Sequence, residues 1–257
     1  MWSSLATVFL ESPNCSSRDG KKIERITVHH TAGIASAQGL LEQFSRPARQ
    51  ASANYCIGND GTIGGCVKEE LRAWTSGSRE NDTRSIGIEV SNDVNGEPWS
   101  IGKKAYNACV ELCVDICLRY GIRLWWNPDK KTGSLTCHRW FQPTACPGDW
   151  FYDRIPQFIS EVNSKVDNII KQIDALNKRV NELEERVLEL EDKVAVVDER
   201  TEVKYRTIKE VPDWARPTIQ KLINKGYLKG QDGNLALTYE LVRELVINDR
   251  AGVFDLK

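Results

Sequence analysis

The chain has three histidines, and they stand in two places: the pair His29-His30, and His138. Cys146 lies eight residues beyond His138 and is followed by Pro147. A catalytic zinc takes three protein ligands, mostly His, Cys or carboxylate, and keeps a fourth position for water. One of His29 and His30, together with His138 and Cys146, would supply such a set from loops at one sheet edge. Spacing alone does not decide the matter. His-x7-Cys is not a standard zinc signature, and scattered core or surface residues give the same pattern.

The elements that must position these residues read as mixed α/β. Lys22 to His30 is β-branched and alternating, which predicts a strand ending at the histidine pair. Ala51–Ile57 and Thr62–Val67 flank Asn59-Asp60-Gly61, and Asp-Gly between two such runs predicts a hairpin. Ser85–Val90 predicts another strand. Ser100 is placed to cap a helix through Ala108, Leu112, Ile116 and Leu118, with Gly121 at its stop. Strands and helices mixed in one domain point to a β-sheet packed by helices.

The 257 residues suffice for one large domain or two small ones. With 35 basic and 36 acidic residues there is no basic footprint for nucleic acid. No apolar run approaches the roughly 20 residues needed to span a bilayer. The amino terminus MWSSLATVFLESPN has a short apolar stretch with no basic region before it. No secretory signal is therefore expected, and the chain should begin in the cytosol. All eight cysteines precede residue 147 and none forms a CxxC pair. Cys109, Cys113 and Cys117 recur at helical spacing and read as small apolar groups on a buried face. A disulfide framework does not suit a cytosolic start.

Composition divides the chain into three: residues 1–157, 158–200 and 203–257. The middle segment is a heptad repeat. Ile159, Val166, Ile173, Val180, Val187 and Val194 occupy a; Val162, Ile169, Leu176, Leu183, Leu190 and Val197 occupy d. An ordinary amphipathic helix drifts off a strict 3.5-residue period, so a coiled coil is expected, about 60 Å long at 1.5 Å per residue. Arg179 with Glu184, Arg186 with Glu191, and Lys193 with Asp198 sit at g and the following e, where a parallel pair would bring opposite charges together. β-branched a with Leu at d favours a dimer, while Val and Ile at some d positions leave a trimer open. The last segment reads helix-turn-helix, with Asp213 capping the first helix, Gly226 closing it and Thr238 capping the second. Such a short segment is marginal as an independent core.

Several motifs occur in one order: Ile26-Thr27-Val28-His29-His30-Thr31-Ala32-Gly33; Asn54-Tyr55 before Asp60-Gly61-Thr62; Ser85-Ile86-Gly87-Ile88-Glu89; His138-Arg139; and Pro143-Thr144-Ala145-Cys146-Pro147-Gly148. Together they closely resemble the zinc-dependent N-acetylmuramoyl-L-alanine amidase family, which includes phage lysozyme-type amidases and peptidoglycan recognition proteins. The resemblance covers about residues 20–155. It implies hydrolysis of the amide bond between N-acetylmuramic acid and L-alanine in bacterial peptidoglycan, with Zn2+ held by His29, His138 and Cys146. Strand alternation agrees that His29 and His30 face opposite ways and do not both bind one metal. It further implies Glu89 as general base, with Tyr55 and Thr144 as donors to the oxyanion. Trp74 is a candidate sugar or peptide contact, and Asn81 and Arg84 are candidates to grip a stem-peptide carboxylate. One departure stands out. Where many members have Ala-Trp-His-Ala-Gly, this chain has Ala73-Trp74-Thr75-Ser76-Gly77, and Thr75 has no proton chemistry near neutral pH.

The tail, through Pro212-Asp213-Trp214-Ala215, Gly226-Tyr227-Leu228 and Leu237-Thr238, resembles one S-layer-homology module. Tyr239 stands at that family's usual arginine, and one copy is present where three are usual. That resemblance implies binding of a secondary cell-wall polymer by residues 203–257. The combined expectation is an endolysin that waits in the host cytoplasm and then acts on the wall. Two alternatives stay on the same fold: a non-catalytic peptidoglycan receptor, whose members typically lack the cysteine ligand, and a cytosolic muropeptide-recycling amidase, which needs no targeting tail. A cysteine hydrolase using Cys146 ranks last, because the Pro-Gly that follows does not resemble a nucleophile at a helix start.

Overall fold

The alternating runs that end at His30 and at Val90 form two adjacent parallel strands of a six-stranded sheet. A computed structural model describes residues 1–255, with the side chains of these apart from 198–201. The chain divides into two compact units, Met1–Ile173 and the described residues from Asp174 onward. In chain order the first holds β1 (Val8–Phe9), β2 (Cys15–Ser17), β3 (Arg25–His30), α1 (Ala37–Phe44), β4 (Tyr55–Ile57), β5 (Ile63–Gly65) and β6 (Leu71–Ala73). There follow α2 (Arg79–Arg84), β7 (Ser85–Val90), α3 (Lys103–Tyr120), β8 (Trp126–Asn127), β9 (Thr132–Gly133), β10 (Leu135–Cys137), α4 (Asp149–Tyr152) and the start of α5 (Ile155–Thr201).

The sheet order is β1-β5-β4-β7-β3-β10. Its pairs are parallel except β4–β5, the hairpin expected around Asp60-Gly61. The Asp60 carboxylate accepts from the backbone and hydroxyl of Thr62, and Gly61 takes φ +88°, which an L side chain rarely adopts. Alternation then assigns the faces. Ile26, Val28, Tyr55, Ile57, Ile86, Ile88 and Val90 pack one face against α3 through Leu112, Cys113 and Ile116. Cys109, Cys113 and Cys117 are buried free thiols, as their spacing leads one to expect. Cys56 points the other way, into a second cluster with Leu40, Leu41 and Phe44 of α1. Residues β-registered with it, Glu89 and in turn His29, share that face.

Helix α3 starts later than its sequence signals. Gly102 is the N-cap, and the Ser100 hydroxyl donates to Asp93 instead. At the far end Gly121, at φ +64°, donates its N–H to Cys117 as expected.

The first unit runs well past residue 157, where composition places a boundary. Phe158, Val162 and Val166 of α5 are buried in the main core, with Ile159 and Ile169 packed against it. Each fully buried side chain of this size contributes roughly 1.5–3 kcal/mol, so the opening turns of the helix are part of the domain's stability. From Ile173 onward the heptad positions are exposed. The expected Lys193–Asp198 pair lies outside the described side chains, because that of Asp198 is not among them.

In the second unit β11 (Val203–Tyr205) pairs antiparallel with β12 (Leu237–Thr238), and α6 (Arg216–Asn224) and α7 (Tyr239–Arg250) complete a small core of Val211, Ala215, Ile219, Leu237, Val242 and Val246. Thr238 caps α7 through the Leu241 N–H. Asp213 does not cap α6. Ala215 holds the N-cap position and Asp213 pairs with Arg216, because Pro217 in the first turn places the helix start two residues later. Residues 256–257 of the expected tail segment lie outside the described residues. Among the described residues no helix is long and apolar enough to cross a membrane.

Candidate metal centre

His29 projects from the end of β3, His138 begins the turn after β10, and Cys146 sits on the loop that follows. Because β10 and β3 are parallel neighbours, their carboxyl ends deliver both histidines to one sheet edge. The donor atoms of His29, His138 and Cys146 all lie within 4.8 Å of one another. Cys146 Sγ is 3.4 Å from His29 Nδ1. A tetrahedral zinc that bonds sulfur at about 2.3 Å and nitrogen at about 2.0 Å sets such donors about 3.5 Å apart, so the residues present fit that ion.

The other nitrogen of His29 is held as well. Thr75 Oγ1 lies 2.8 Å from His29 Nε2. With Nε2 carrying the proton and donating to the hydroxyl, Nδ1 keeps its lone pair for a metal. Thr75 is fixed from behind. The buried Asp82 carboxylate accepts from the backbone N–H groups of Thr75 and Ser76 and from the Ser76 hydroxyl. Gly87 in β7 makes room, since a Cβ there would meet the Thr75 side chain at 2.8 Å. Arg139 steadies the cysteine loop by donating to the carbonyls of Ala145 and Cys146 and pairing with Asp149.

Burial lowers the His29 pKa to about 3, and the adjacent His138 adds to the effect. Burial also lowers His30, to about 4, and His138. All three rings are thus neutral near pH 7, the form that ligates metal. Burial, with the Glu89 charge second, pushes the Cys146 thiol well above its ordinary value. A free thiol so placed is a poor nucleophile, which counts against the cysteine-hydrolase alternative. His30 contributes no donor to the cluster, and its ring stands edge-on to Trp99 at 5.5 Å.

The three donors line a cleft of about 350 Å³ with Glu89, Trp74, Thr75, Thr144, Gln43 and Arg49. Glu89 registers beside His29 on β7. Burial pushes its carboxyl up to about 8, and Arg49 opposes that shift. Thr144 Oγ1 accepts the Cys146 N–H, which leaves its hydroxyl hydrogen to donate into the cleft. Trp74 lies partly exposed on the wall, its indole N–H directed to Ser16.

Three of the residues expected in the site are elsewhere. Tyr55 registers with Ile88, not with Glu89, so its ring lies in the α3 core on the opposite face. Its hydroxyl donates to Glu69 at 2.5 Å and accepts from the Ser3 N–H. Asn81 is buried, bonded to Thr27 and Thr136, and ties β3 to β10. Arg84 pairs with Glu24 and lines a separate groove with Asp19 and Arg79. Conversely, sequence reasoning missed Arg49 and set Thr75 aside. Arg49 ends a short 3-10 turn with no motif around it, so no sequence signal marks it. The Thr75 hydroxyl was visible, but its partner was not.

A family model described as N-acetylmuramoyl-L-alanine amidase matches residues 19–149. No curated protein matches the chain. Among solved structures, the Staphylococcus aureus hydrolase AmiA in complex with its ligand is similar at 17% identity and TM-score 0.50, over 63% of this chain and 84% of that one. PlyL is similar at 20% identity and TM-score 0.48, over 60% and 95%. The endolysin amidase LysCS from Clostridium intestinale is similar at 18% identity and TM-score 0.45, over 64% and 99%. At such identities the likeness speaks to the fold alone.

Proposed function

The chain belongs to the N-acetylmuramoyl-L-alanine amidase family, and on that premise we propose that it is a zinc-dependent endolysin that cuts the bond between muramic acid and the L-alanine of the stem peptide. The observation that carries the reading is the convergence of His29, His138 and Cys146 beside Glu89 in one cleft. Held by His29, His138 and Cys146, a zinc ion would supply Lewis-acid polarisation of the amide carbonyl and ease deprotonation of water.

The chain's own groups do the rest. Glu89 takes a proton as the water oxygen bonds to the carbonyl carbon. It returns that proton to the alanine nitrogen as the C–N bond breaks. A raised pKa suits both halves, since the group must accept and then release a proton near neutral pH. Thr144 donates to the developing oxyanion, an interaction worth roughly 3 kcal/mol in comparable hydrolases. Among the described residues Arg49 is the one Arg or Lys lining the cleft, and it suits a carboxylate of the acidic stem peptide. Trp74 offers a flat apolar wall for sugar or peptide.

The exposed stripe of α5 is read as an interface between copies of the chain, which makes the enzyme a homo-oligomer. Residues 203–257 are read as a module for a secondary wall polymer. In support, this segment has its own core, and the rings of Trp214 and Tyr239 lie exposed 6.3 Å apart, a surface of the kind that contacts sugars. The enzyme is read as reaching the wall from the host cytoplasm.

The test is cleavage of purified peptidoglycan, followed as release of stem peptides with free N-terminal alanine. Release that stops on chelation and returns with zinc supports the reading. Binding to walls without release under any divalent metal overturns it in favour of a receptor.

A further inference from the structure

The heptad stripe of α5 has two different fates along its length. Its first positions, Ile159, Val162, Val166 and Ile169, pack into the core of the first unit. The next seven, Ile173, Leu176, Val180, Leu183, Val187, Leu190 and Val194, are each between 47% and 65% exposed. Seven large apolar side chains in one line exceed what a monomer ordinarily leaves in water, roughly a few hundred Å² of contiguous patch.

We propose that Ile173–Val194 pairs with the same segment of a second copy of this chain as a parallel, two-stranded coiled coil. The proposal rests on the oligomer reading above and fixes its extent, orientation and strand number. The occupant is a second copy because the stripe keeps an unbroken alternation of three and four residues, which a partner with the same 3.5-residue period fills knob into hole.

The charges decide orientation. Arg179 and Arg186 hold g positions, and Glu184 and Glu191 hold the e positions that follow. In a parallel pair g meets the next e of the partner, so Arg179 faces Glu184 and Arg186 faces Glu191. In an antiparallel pair g meets g and e meets e, so like charges oppose throughout.

The structure also narrows the strand number. The β-branched d residues that leave a trimer open from sequence include Val162 and Ile169, and both are taken up by the enzyme's own core. From Ile173 to Val194 every a is Ile or Val and every d is Leu, with Val197 the one exposed β-branched d just beyond that stretch among the described residues. That combination favours two strands.

The test uses the full chain. Light scattering is expected to give twice the chain mass, and Leu183→Asp should raise the dissociation constant at least a hundredfold while cleavage of a small soluble muropeptide is retained. Leu176→Cys is expected to form a same-site disulfide under mild oxidation, beyond anything seen in the parent chain. Reversing both g charges (R179E, R186E) should lose the dimer, and adding E184R and E191R to the same chain should restore it. A monomeric parent overturns the oligomer reading itself. A trimeric mass overturns two strands. A disulfide that forms only when Leu176→Cys and Val194→Cys chains are mixed overturns the parallel orientation. None of these outcomes touches the amidase reading, which rests on a separate assay.

Discussion

The two nitrogens of His29 have two different partners. Nε2 lies 2.8 Å from the Thr75 hydroxyl, and Nδ1 lies 3.4 Å from Cys146 Sγ. If Nδ1 turned its lone pair to a metal, Nε2 would carry the proton and donate to the Thr75 hydroxyl. Thr75→Val keeps the shape and removes the hydroxyl. It should weaken zinc binding by about 10- to 100-fold, measured by competition with a chelator of known affinity, and Thr75→Ser should recover most of that loss. Unchanged affinity in the valine variant would mean the hydroxyl does not orient His29.

Glu89→Gln should lower kcat by about 10²- to 10⁴-fold with zinc content unchanged. The sign of its pH dependence follows from burial, which raises the carboxyl to about 8 in the metal-free protein. Activity should rise with pH as the carboxylate forms. A dication in the cleft favours the charged form and moves that limb below 8. A pH–rate profile for the zinc enzyme should show the limb, and any residual activity of Glu89→Gln should lack it.

Arg49→Ala should raise KM for a stem-peptide substrate with little change in kcat, because a carboxylate grip is shared by ground and transition states. Replacing the acidic residue of the substrate by its amide should give a similar KM in wild type and variant. An equal loss with both substrates would show that Arg49 does not read that carboxylate.

The chelated protein should be most stable near pH 6.5. His29 and His30 have folded pKa values lowered to about 3 and about 4. The unfolded chain therefore binds more protons below 6.5, and stability falls as pH drops from 6.5 toward 4, by up to about 1.4 kcal/mol per pH unit for each ring. Glu89 acts with the opposite sign. Its raised pKa makes the folded chain bind more protons between 4.5 and 8, so stability falls as pH rises through that range. Below 6.5 the two histidines outweigh the one carboxyl. Urea unfolding across pH checks this, and His30→Gln should remove about one proton's worth of slope.

Tyr55→Phe should leave kcat of the folded enzyme unchanged and cost about 1–3 kcal/mol of stability. Its hydroxyl serves the buried Glu69 cluster, where Arg119 and Tyr120 also bond the carboxylate, and it does not reach the cleft. A drop in kcat with stability intact would return Tyr55 to the oxyanion role that its motif implies.

The contrast between Tyr55 and Glu89 shows what was legible. The candidate metal donors came from the family resemblance, which picked out His29, His138 and Cys146 where spacing alone left the set open. The strands β3 and β7 could be named because alternation is a local signal. Which face Tyr55 takes depends on its register against Ile88, a relation between strands that no single run records. The short strands β2, β6, β8 and β9 carry too few residues to alternate visibly. Thr75 and Arg49 reach the site through loop geometry. The heptads show the same limit: one uninterrupted apolar spacing runs from the turns of α5 buried in the core into the exposed ones, and nothing in the pattern marks where the core ends.

Helix α5 belongs to the catalytic fold for its opening turns, which bears on how such chains could exchange parts. A recombination junction near residue 157, where composition changes, would leave behind Phe158, Val162 and Val166 and open the core of the head it tried to transplant. A crossover beyond Ile169 would carry a complete head onto any tail whose helix continues. Shuffling that respects this seam can change the tail freely while inheriting the catalytic head intact.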